Sequence, residues 1–272
     1  MSQQKSKIAS FESISPAEFF YRNRQMAGFG NPTQAVYSAV RELVENSLDS
    51  CEDAQRAPVV RIKILSDQSN RITITVSDNG TGVSSNQIPD AFGRVLYGSK
   101  YSHRQKRGTF GLGVTMAVLY SQITTDRPMS VHSRTQGSDG VFYRLLVDIE
   151  KNQPIVEEKK PLLRSDVGTD VSISLKGDLK RSQERIIEYL RLSAVSTPHA
   201  TFHLSIDDSI NKHFGGFSKS TPIPARTSKP HPRAADIELL RRLIQQNPEK
   251  ILNDFLLDSF QKVGTRTATK FL

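Results

Sequence analysis

Cysteine is almost absent from this chain of 272 residues, which contains Cys51 alone. A single thiol cannot form an internal disulfide or a cysteine cluster around a metal ion, so both kinds of cross-link are excluded. No histidine lies near Cys51 in the sequence, and we interpret this residue as a plain small side chain. We therefore expect the fold to be held together by a hydrophobic core.

Long hydrophobic runs are also lacking. No apolar segment approaches the ~20 residues that a membrane-spanning helix needs, and the first ten residues, MSQQKSKIAS, contain no hydrophobic segment of the signal-peptide type. We therefore expect an intracellular protein with no membrane partner. A hydrophobic content of 36% with 24% charged residues is ordinary for a globular protein of one large domain or two smaller ones.

Acidic residues are outnumbered, and the formal net charge is +9. Residues 211–272 contain 11 Lys and Arg against 5 Asp and Glu, a surplus of 6 positive charges in this quarter of the chain. Such a balance favours a polyanionic partner, although it is equally compatible with simple solubility. We hypothesise that residues 229–272 make a weak, sequence-independent contact with duplex DNA; the alternative is a solvated helical module.

A helix predicted from Pro32 to Cys51, capped by Asn31, carries the first candidate site. In its segment RELVENSLD, the residues Glu42, Asn46 and Asp49 project from one face. A carboxylate one turn before a carboxamide suits a site where Glu42 takes a proton from water and Asn46 offers a neutral oxygen to Mg²⁺. The alternative is an amphipathic helix with a solvated polar face, which is a common arrangement.

A second motif, DNGTG, follows a predicted hairpin. Residues 59–65 and 71–77 alternate with the two-residue period of half-buried strands, and SDQSN between them has the composition of a turn. The second strand delivers Asp78 at its end, where it can accept a hydrogen bond from an exocyclic amine such as N6 of adenine. Glycines in this motif allow the backbone to approach a flat ligand. The alternative is an ordinary turn after a strand.

A third motif, GTFGLGV, occupies residues 108–114 and precedes a predicted helix. Its glycines leave backbone N–H groups open, and the helix N-terminus attracts anions, so we predict a phosphate site. The preceding segment YGSKYSHRQKRG is predicted to act as a lid in which Lys100 contacts phosphate, with a solvated charged loop as the alternative. The motif is not a Walker loop, because no Gly-Lys-Ser/Thr sequence follows.

The remaining patterns predict an α/β fold. A short helix is predicted in SPAEFFYRNR, with Ser15 as its cap and Pro16 at its first position, and another at residues 87–92. Further strands are predicted at 129–134, 141–148 and 168–175, a helix at 184–192, and a last strand at 201–207. Gly168 and Thr169 open one of these strands, either as part of a ligand pocket or simply as the start of a strand. The proline-rich segment TPIPARTSKPHP then marks a boundary, and three short helices follow it. We therefore predict domains at residues 1–228 and 229–272.

The three motifs, in this order, resemble those of the GHKL ATPases, which include gyrase and the sensor histidine kinases. The segments SPAEFFYRNRQMAGFGNP, RELVENSLD, DNGTGV, YGSK and GTFGLGVTMAVLYSQ resemble more closely the family of topoisomerase VI B subunits, over nearly the whole chain. This resemblance implies a Bergerat-type ATPase sandwich of mixed sheet and helices. The region after KPHP is similar to that family's helix-two-turns-helix domain.

The resemblance also implies residue roles, with ATP and Mg²⁺ as cofactors. Glu42 would be the general base, Asn46 the Mg²⁺ ligand and Asp78 the residue that recognises adenine. The other nucleotide-contacting residues would be Gly82, Ser99, Lys100, Gly108, Thr109, Phe110, Gly111, Leu112, Gly113, Val114, Thr115 and Thr169. Thr115 stands where relatives often have lysine, which puts a phosphate contact by that side chain in doubt.

Members of this family act with other chains. The resemblance implies that ATP binding closes two B subunits into a dimeric gate, that an A2B2 enzyme forms with the A subunit of topoisomerase VI, and that duplex DNA is the substrate cut by this second kind of chain. Family members continue into a transducer domain that supplies a switch lysine, whereas this sequence stops inside a predicted helix, as a truncated chain would. We therefore expect slow hydrolysis by this chain alone.

Two other functions compete with this interpretation. The first is a scaffold that dimerises when it binds nucleotide but does not hydrolyse it. The second is a phosphotransferase of the histidine-kinase type, which is disfavoured because none of the six histidines lies in a suitable helix before the site.

Overall fold

The computed structural model describes residues 13–98, 107, 112–162, 165–223 and 228–272. The chain divides into two compact units, Met1–Thr221 and Pro222–Leu272. The predicted domain boundary between residues 228 and 229 falls in the proline-rich segment that begins the second unit, and it stays a prediction. Six of the predicted site residues lie outside the described residues: Ser99, Lys100, Gly108, Thr109, Phe110 and Gly111.

One mixed sheet dominates the first unit, with eight strands among the described residues. Its order is β5-β4-β3-β6-β2-β1-β7-β8, and the pair β1–β7 is parallel while the other neighbours are antiparallel. The strands are β1 Val59–Ser66, β2 Arg71–Ser77, β3 Met129–Arg134, β4 Gly140–Asp148, β5 Gln153–Leu162, β6 Gly168–Lys176, β7 Thr201–Ile206 and β8 Ile210–Gly215.

Helices cover one face of this sheet. Alternate residues of the strands, such as Ile62, Ile74 and Ile173, are buried in a continuous core with the helices. The helices of the first unit, besides a 3-10 helix at Arg24–Ala27, are α1 Pro16–Arg22, α2 Pro32–Asp53, α3 Ile88–Gly93, α4 Gly113–Thr125 and α5 Leu179–Ser196. The opposite face, called here the open face, carries mainly polar residues of the same strands.

Helix α2 begins where the sequence predicts. The side chain of Asn31 accepts a hydrogen bond from the backbone N–H of Gln34 at 2.8 Å, and Pro32 occupies the first turn. The buried stripe includes Val36, Val40 and Leu43, and full burial of each such side chain contributes about 1.5–3 kcal/mol. This packing fixes the rotation of α2, so that its polar residues face away from the core.

The predicted α/β class, a sandwich of mixed sheet and helices, is confirmed. Two details were wrong: the strand at 201–207 is not the last, because β8 follows it, and the helix predicted at 184–192 begins at Leu179, where Asp178 caps it. Strand β5 was not predicted. It contains Pro154 and Pro161 and does not show the alternation of a half-buried strand, because it pairs along the edge of the sheet with β4 alone.

The second unit is small and helical. After a 3-10 turn at Pro232–Ala234 it contains α6 Ile237–Gln245, α7 Leu252–Ser259 and α8 Thr265–Phe271, in agreement with the three predicted helices. Its core is limited to a few side chains, and the rings of Phe255 and Phe260 meet edge to face with centroids 6.1 Å apart. The term helix-two-turns-helix stays a resemblance.

Candidate functional site

A cavity of about 510 Å³ opens on the first unit beside α2. Its walls come from the polar side of α2, the segment after β2, the beginning of α4, and the first residues of β6. Three motifs that are far apart in sequence therefore meet around one space. The predicted residues that line this space are Glu42, Asn46, Asp78, Gly82, Gly113, Val114, Thr115 and Thr169.

Asp78 is buried at one wall of the cavity. Its Oδ1 accepts hydrogen bonds from the backbone N–H of Gly80 at 2.9 Å and of Thr169 at 3.2 Å, and the hydroxyl of Ser47 is a third partner. Burial raises the pKa of the Asp78 carboxyl to about 6, although these hydrogen bonds act in the opposite direction. The side chain is thus a buried acceptor held in place by the turn after β2, by β6 and by α2.

The pairing of β2 with β6 explains this position. Ser77 lies opposite Asp170 in the antiparallel ladder, which brings the next residue, Asp78, beside Thr169. The backbone N–H of Asp78 also donates to the carbonyl of Thr169 at 2.9 Å. The start of β6 is therefore part of the wall.

The glycine turn after Asp78 is closely packed. Gly82 has φ +71°, and a Cβ on it would collide with the carbonyl of Arg134. Next to it, the N–H of Val83 donates to the hydroxyl of Ser133 at 2.7 Å, and this hydroxyl lies 3.2 Å from that of Thr169. These contacts join the turn to β3 and β6, so the turn forms part of the cavity wall.

Glu42 and Asn46 lie one turn apart on α2. The side-chain amide of Asn46 donates to the backbone carbonyl of Glu42 at 3.0 Å. The carboxylate of Glu42 is 12% exposed, and its Oε1 lies 2.5 Å from the guanidinium of Arg41. Arg41 also lies 3.7 Å from Glu45, whose pKa is raised chiefly by burial and further by Glu42. One arginine thus orients two carboxylates beside the cavity.

The carboxylate of Glu42 lies against Gly113, the first residue of α4. A Cβ on Gly113 would collide with Oε2 of Glu42, so glycine is needed for this approach. The residue before it, Leu112, caps α4 without a side-chain hydrogen bond. The backbone N–H groups at such a helix start attract anions. Thr115, in the same turn, is buried, and its hydroxyl lies 3.5 Å from the carbonyl of Leu112.

Arg107 closes another side of the cavity. Its guanidinium lies 3.2 Å from Oδ1 of Asp49, a carboxylate that is 1% exposed, and 2.8 Å from Glu52. Its backbone N–H also donates to Asp49 at 3.3 Å. The sequence placed Asp49 on the polar face of α2, and Arg107 supplies a positive charge beside this buried carboxylate.

Residues 31–178, more than half of the chain, match the sequence family described as Histidine kinase-, DNA gyrase B-, and HSP90-like ATPase. The matched stretch contains all the residues described above. The chain belongs to this ATPase family.

Within the family, curated relatives are closely similar to the chain. It is 41% identical over 265 residues to the B subunit of type 2 DNA topoisomerase 6 from Metallosphaera sedula, in a match that covers 95% of this chain and 50% of the relative. The protein of the same name from Saccharolobus islandicus is 40% identical over 268 residues, which are 96% of this chain and 51% of the relative. The chain thus spans about half the length of the curated relatives it matches.

Among solved structures, one titled "Crystal Structure of N terminal domain of a DNA repair protein" matches 71% of this chain and 54% of that chain, with a TM-score of 0.48 and 18% identity.

An ATPase domain binds ATP, and the residues around the cavity fit this ligand. The volume lies within the range of roughly 300–1,000 Å³ that is usual for small-molecule sites. The buried carboxylate of Asp78 offers an acceptor to a base, and the start of α4 offers a positive helix end to phosphates. Gly82 and Gly113 keep both walls free of side-chain bulk. The cavity therefore suits a ligand that is flat at one end and anionic at the other.

The donor set also fits Mg²⁺. Within the described part of the chain, no three His, Cys, Asp or Glu side chains form a group that could hold a metal ion. Asn46 supplies one amide group beside the cavity, which suits a cation that takes most of its ligands from phosphates and water.

Sequence reasoning missed Ser47 and Arg107. Ser47 follows Asn46 directly, but its link to Asp78 depends on how α2 packs on the sheet. Arg107 lies in the basic segment where the prediction favoured Lys100, and the clue was the acidic pair Asp49 and Glu52 on the facing helix. The predicted roles of the residues outside the described ranges stay predictions.

No helix in the described ranges combines the length and the apolar character that crossing a bilayer requires.

Proposed function

We propose that the chain is the ATP-binding and ATP-hydrolysing part of the B subunit of a type IIB DNA topoisomerase. The observation that carries this proposal is the meeting of Glu42, Asn46 and Asp78 around one cavity, in a chain about 40% identical to curated topoisomerase 6 B subunits. In this proposal the cavity holds ATP, with adenine at Asp78 and the phosphates toward α4.

Base recognition follows from the fixed position of Asp78. Oδ1 is occupied by backbone donors, so the carboxylate cannot rotate freely and can present its second oxygen to the exocyclic amine of adenine. A guanine carbonyl at the same position would repel this acceptor. Asp78 therefore selects adenine over guanine.

Hydrolysis would depend on Glu42. Arg41 engages Oε1, which leaves Oε2, the oxygen next to Gly113, to accept the proton of the attacking water. Asn46 would hold Mg²⁺, which supplies charge neutralisation of the phosphates when it is bound. Most of the rate enhancement would come from positioning and from the anion-attracting start of α4.

The proposed partners follow from the relatives. ATP binding would bring two copies of the B subunit together, and an A2B2 enzyme formed with the A subunit of topoisomerase VI would pass one duplex through a break in another. The reactive tyrosine for DNA cleavage would belong to the A subunit. The proposed location is the cytoplasm or nucleoid, or the nucleus of a eukaryotic cell.

An ATPase assay combined with a measurement of mass in solution tests this proposal. We expect the chain to bind ATP with Mg²⁺, to dimerise with a non-hydrolysable analogue, and to hydrolyse ATP faster when duplex DNA is added together with the A subunit. Binding and dimerisation with no turnover in any mixture would favour the scaffold function. Absence of ATP binding would contradict both.

The second unit is a proposed DNA contact. Arg241, Arg242 and Arg266 are exposed, whereas Lys250 is paired with Asp258 at 2.8 Å. Deleting residues 229–272 should lower affinity for duplex DNA at low salt more than at moderate salt, because phosphate contacts release counterions. If binding is unchanged at both salt concentrations, this unit is a structural module only.

A further inference from the structure

The open face of the sheet carries an ordered group of hydrogen-bond donors at the end formed by β1, β7 and β8. The strand register places Arg61, His203 and His213 in one row across the three strands. The next row on the same face contains Lys63, Ser205 and Asn211. Adjacent strands lie about 4.8 Å apart and the two rows roughly 6.6 Å apart. We call these six residues the donor grid.

Every side chain of the donor grid can donate a hydrogen bond, and none is acidic. Arg61 has no carboxylate within salt-bridge distance in the part of the chain that the structure describes. Lys63 lies 3.5 Å from Asp208, but both side chains are exposed, so this pair is weak. The neighbouring Asp207 accepts from the N–H and hydroxyl of Ser66. The grid is therefore a cationic and donor-rich surface.

The other end of the same face differs. There Arg144 lies 3.6 Å from Glu157, and Lys160 lies 3.0 Å from Glu158 and over the ring of Phe142 at 4.6 Å. Its cations are thus matched by nearby carboxylates. Lys63 has a comparable exposed partner in Asp208, so the difference between the two ends lies in Arg61, which has no such carboxylate in the described part of the chain.

The chemistry of the grid indicates which anion it fits. The grid borders a shallow recess of about 420 Å³. Arg, Lys, Ser and Asn side chains are those that commonly contact phosphate oxygens of nucleic acids. No Phe, Tyr or large aliphatic side chain belongs to the grid, so it lacks the anchors of a protein interface and the stacking platforms of a single-strand site. Phosphates of a duplex backbone meet these requirements best.

We propose that the donor grid binds the phosphate backbone of duplex DNA, independently of base sequence. This inference rests on the proposed topoisomerase function for its choice of ligand, and it adds a contact surface on the ATPase unit itself. The two rows would contact phosphates through Arg61 and Lys63, while the hydroxyl, amide and imidazole groups would add neutral donors.

Protonation of His203 provides a second way to detect contact with DNA. The rings of His203 and His213 lie 4.9 Å apart, and the pKa of His203 is lowered from 6.5 by burial, by His213 and by Arg61. The strand register places Arg61 beside His203 and Lys63 in the next row, and Asp207 and Asp208 follow the end of β7, where Asp208 lies 3.5 Å from Lys63. A bound phosphate favours the protonated form of His203, so DNA affinity should rise as the pH falls below the ordinary pKa of an imidazole.

The test compares two double variants of the whole 272-residue chain, with a fluorescent duplex of about 25 base pairs as the probe. Arg61→Gln with Lys63→Gln removes the two cations of the grid. Lys151→Gln with Arg191→Gln removes two exposed cations that lie outside it. Anisotropy gives the affinity across a salt series without nucleotide, and thermal unfolding checks the fold.

We expect the grid variant to lose roughly tenfold in affinity at low salt and the slope of log K against log salt to fall by about 2, since each phosphate contact contributes ~0.9. The matched variant should change by less than about twofold. Equal losses in both variants, or no loss in the grid variant, would overturn the proposal. Loss of affinity for polyglutamate without loss of affinity for DNA in the grid variant would also overturn the proposal.

His203→Gln should remove the increase in affinity at low pH while leaving the affinity near pH 8 within about twofold. A wild-type chain with no such increase would contradict the histidine contribution. ATP binding by the same proteins, measured separately, distinguishes failure of the grid from failure of the proposed ATPase function.

Discussion

The two ends of the cavity are built differently. At the Asp78 end, the carboxylate is held by the backbone N–H groups of Gly80, in the turn after β2, and of Thr169, in β6, with Ser47 of α2 as a further partner. At the Glu42 end, the carboxylate is held by one arginine side chain and by the absence of a side chain at Gly113. The first end relies mainly on backbone donors, whereas the second relies on the side chain of Arg41 and on the small size of Gly113.

Because the two ends are built differently, ligand binding and turnover should respond to different substitutions. Changes at the Asp78 end should alter affinity and base selectivity, because the buried carboxylate there is the proposed contact with the base. Changes at the Glu42 end should alter turnover while leaving binding nearly intact. Four measurements would sharpen or break this separation.

The largest effect is expected for Glu42→Ala. Loss of a general base lowers the rate roughly 10²- to 10⁴-fold, whereas ATP affinity should stay within about threefold, because the base acts on water. Phosphate release and equilibrium ATP titration measure the two quantities. Glu45→Gln, on the same wall, is the control. Wild-type turnover in Glu42→Ala would remove this residue from its proposed role.

Asp78→Asn should weaken ATP binding by roughly 10- to 100-fold, because an amide places a donor where adenine also donates. The preference for ATP over GTP should fall as well. The amide oxygen can still accept from Gly80 and Thr169, so the fold should be retained. Competition titrations with both nucleotides measure the effect, and Asp126→Asn controls for the loss of a carboxylate. Unchanged affinity and selectivity would refute the assignment.

Gly113→Ala tests the packing at the other end. The added methyl group would collide with the Glu42 carboxylate and displace it, so turnover should fall roughly tenfold with a smaller change in affinity. Gly264→Ala is a matched control, since the space around Gly264 is open. An equal loss of rate and affinity in Gly113→Ala would show that the two ends are not separable.

The smallest effect is a pH dependence confined to the Asp78 end. In the proposed site the ionised carboxylate would accept from adenine, so ATP affinity should fall as pH drops through about 6, the pKa of this buried group. The free energy of unfolding should instead rise as the pH drops. The pKa is raised on folding from 3.8, so the contribution of Asp78 is fully present below 3.8 and is lost as pH rises through 6.

Both trends should disappear in Asp78→Asn. ATP titrations and thermal unfolding between about pH 5 and pH 7.5 measure them. A wild-type affinity that is flat over this interval would mean that Asp78 does not titrate as its burial indicates.

Local patterns predicted much of this architecture. Asn31 with Pro32 marked the start of α2, and the alternation in β1 and β2 marked the hairpin that delivers Asp78. What could not be predicted depends on distant partners. Ser47 contacts Asp78, and Arg107 lies beside Asp49, only because the sheet register and helix packing bring them together. Strand β8 escaped prediction because its short polar sequence pairs with one neighbour at the edge of the sheet.

The parallel pair β1–β7 has a consequence for synthesis of the protein. In sequence, 141 positions separate Ser66, at the end of β1, from its partner Asp207. At translation rates of roughly 5–20 residues per second, the nascent β1 waits about 7–28 s before β7 has been made. During this interval one edge of β1 is unpaired, and exposed edges promote aggregation. Arg61 and Lys63 place positive charges on that waiting strand, which would keep nascent chains apart until the ribosome delivers its partner.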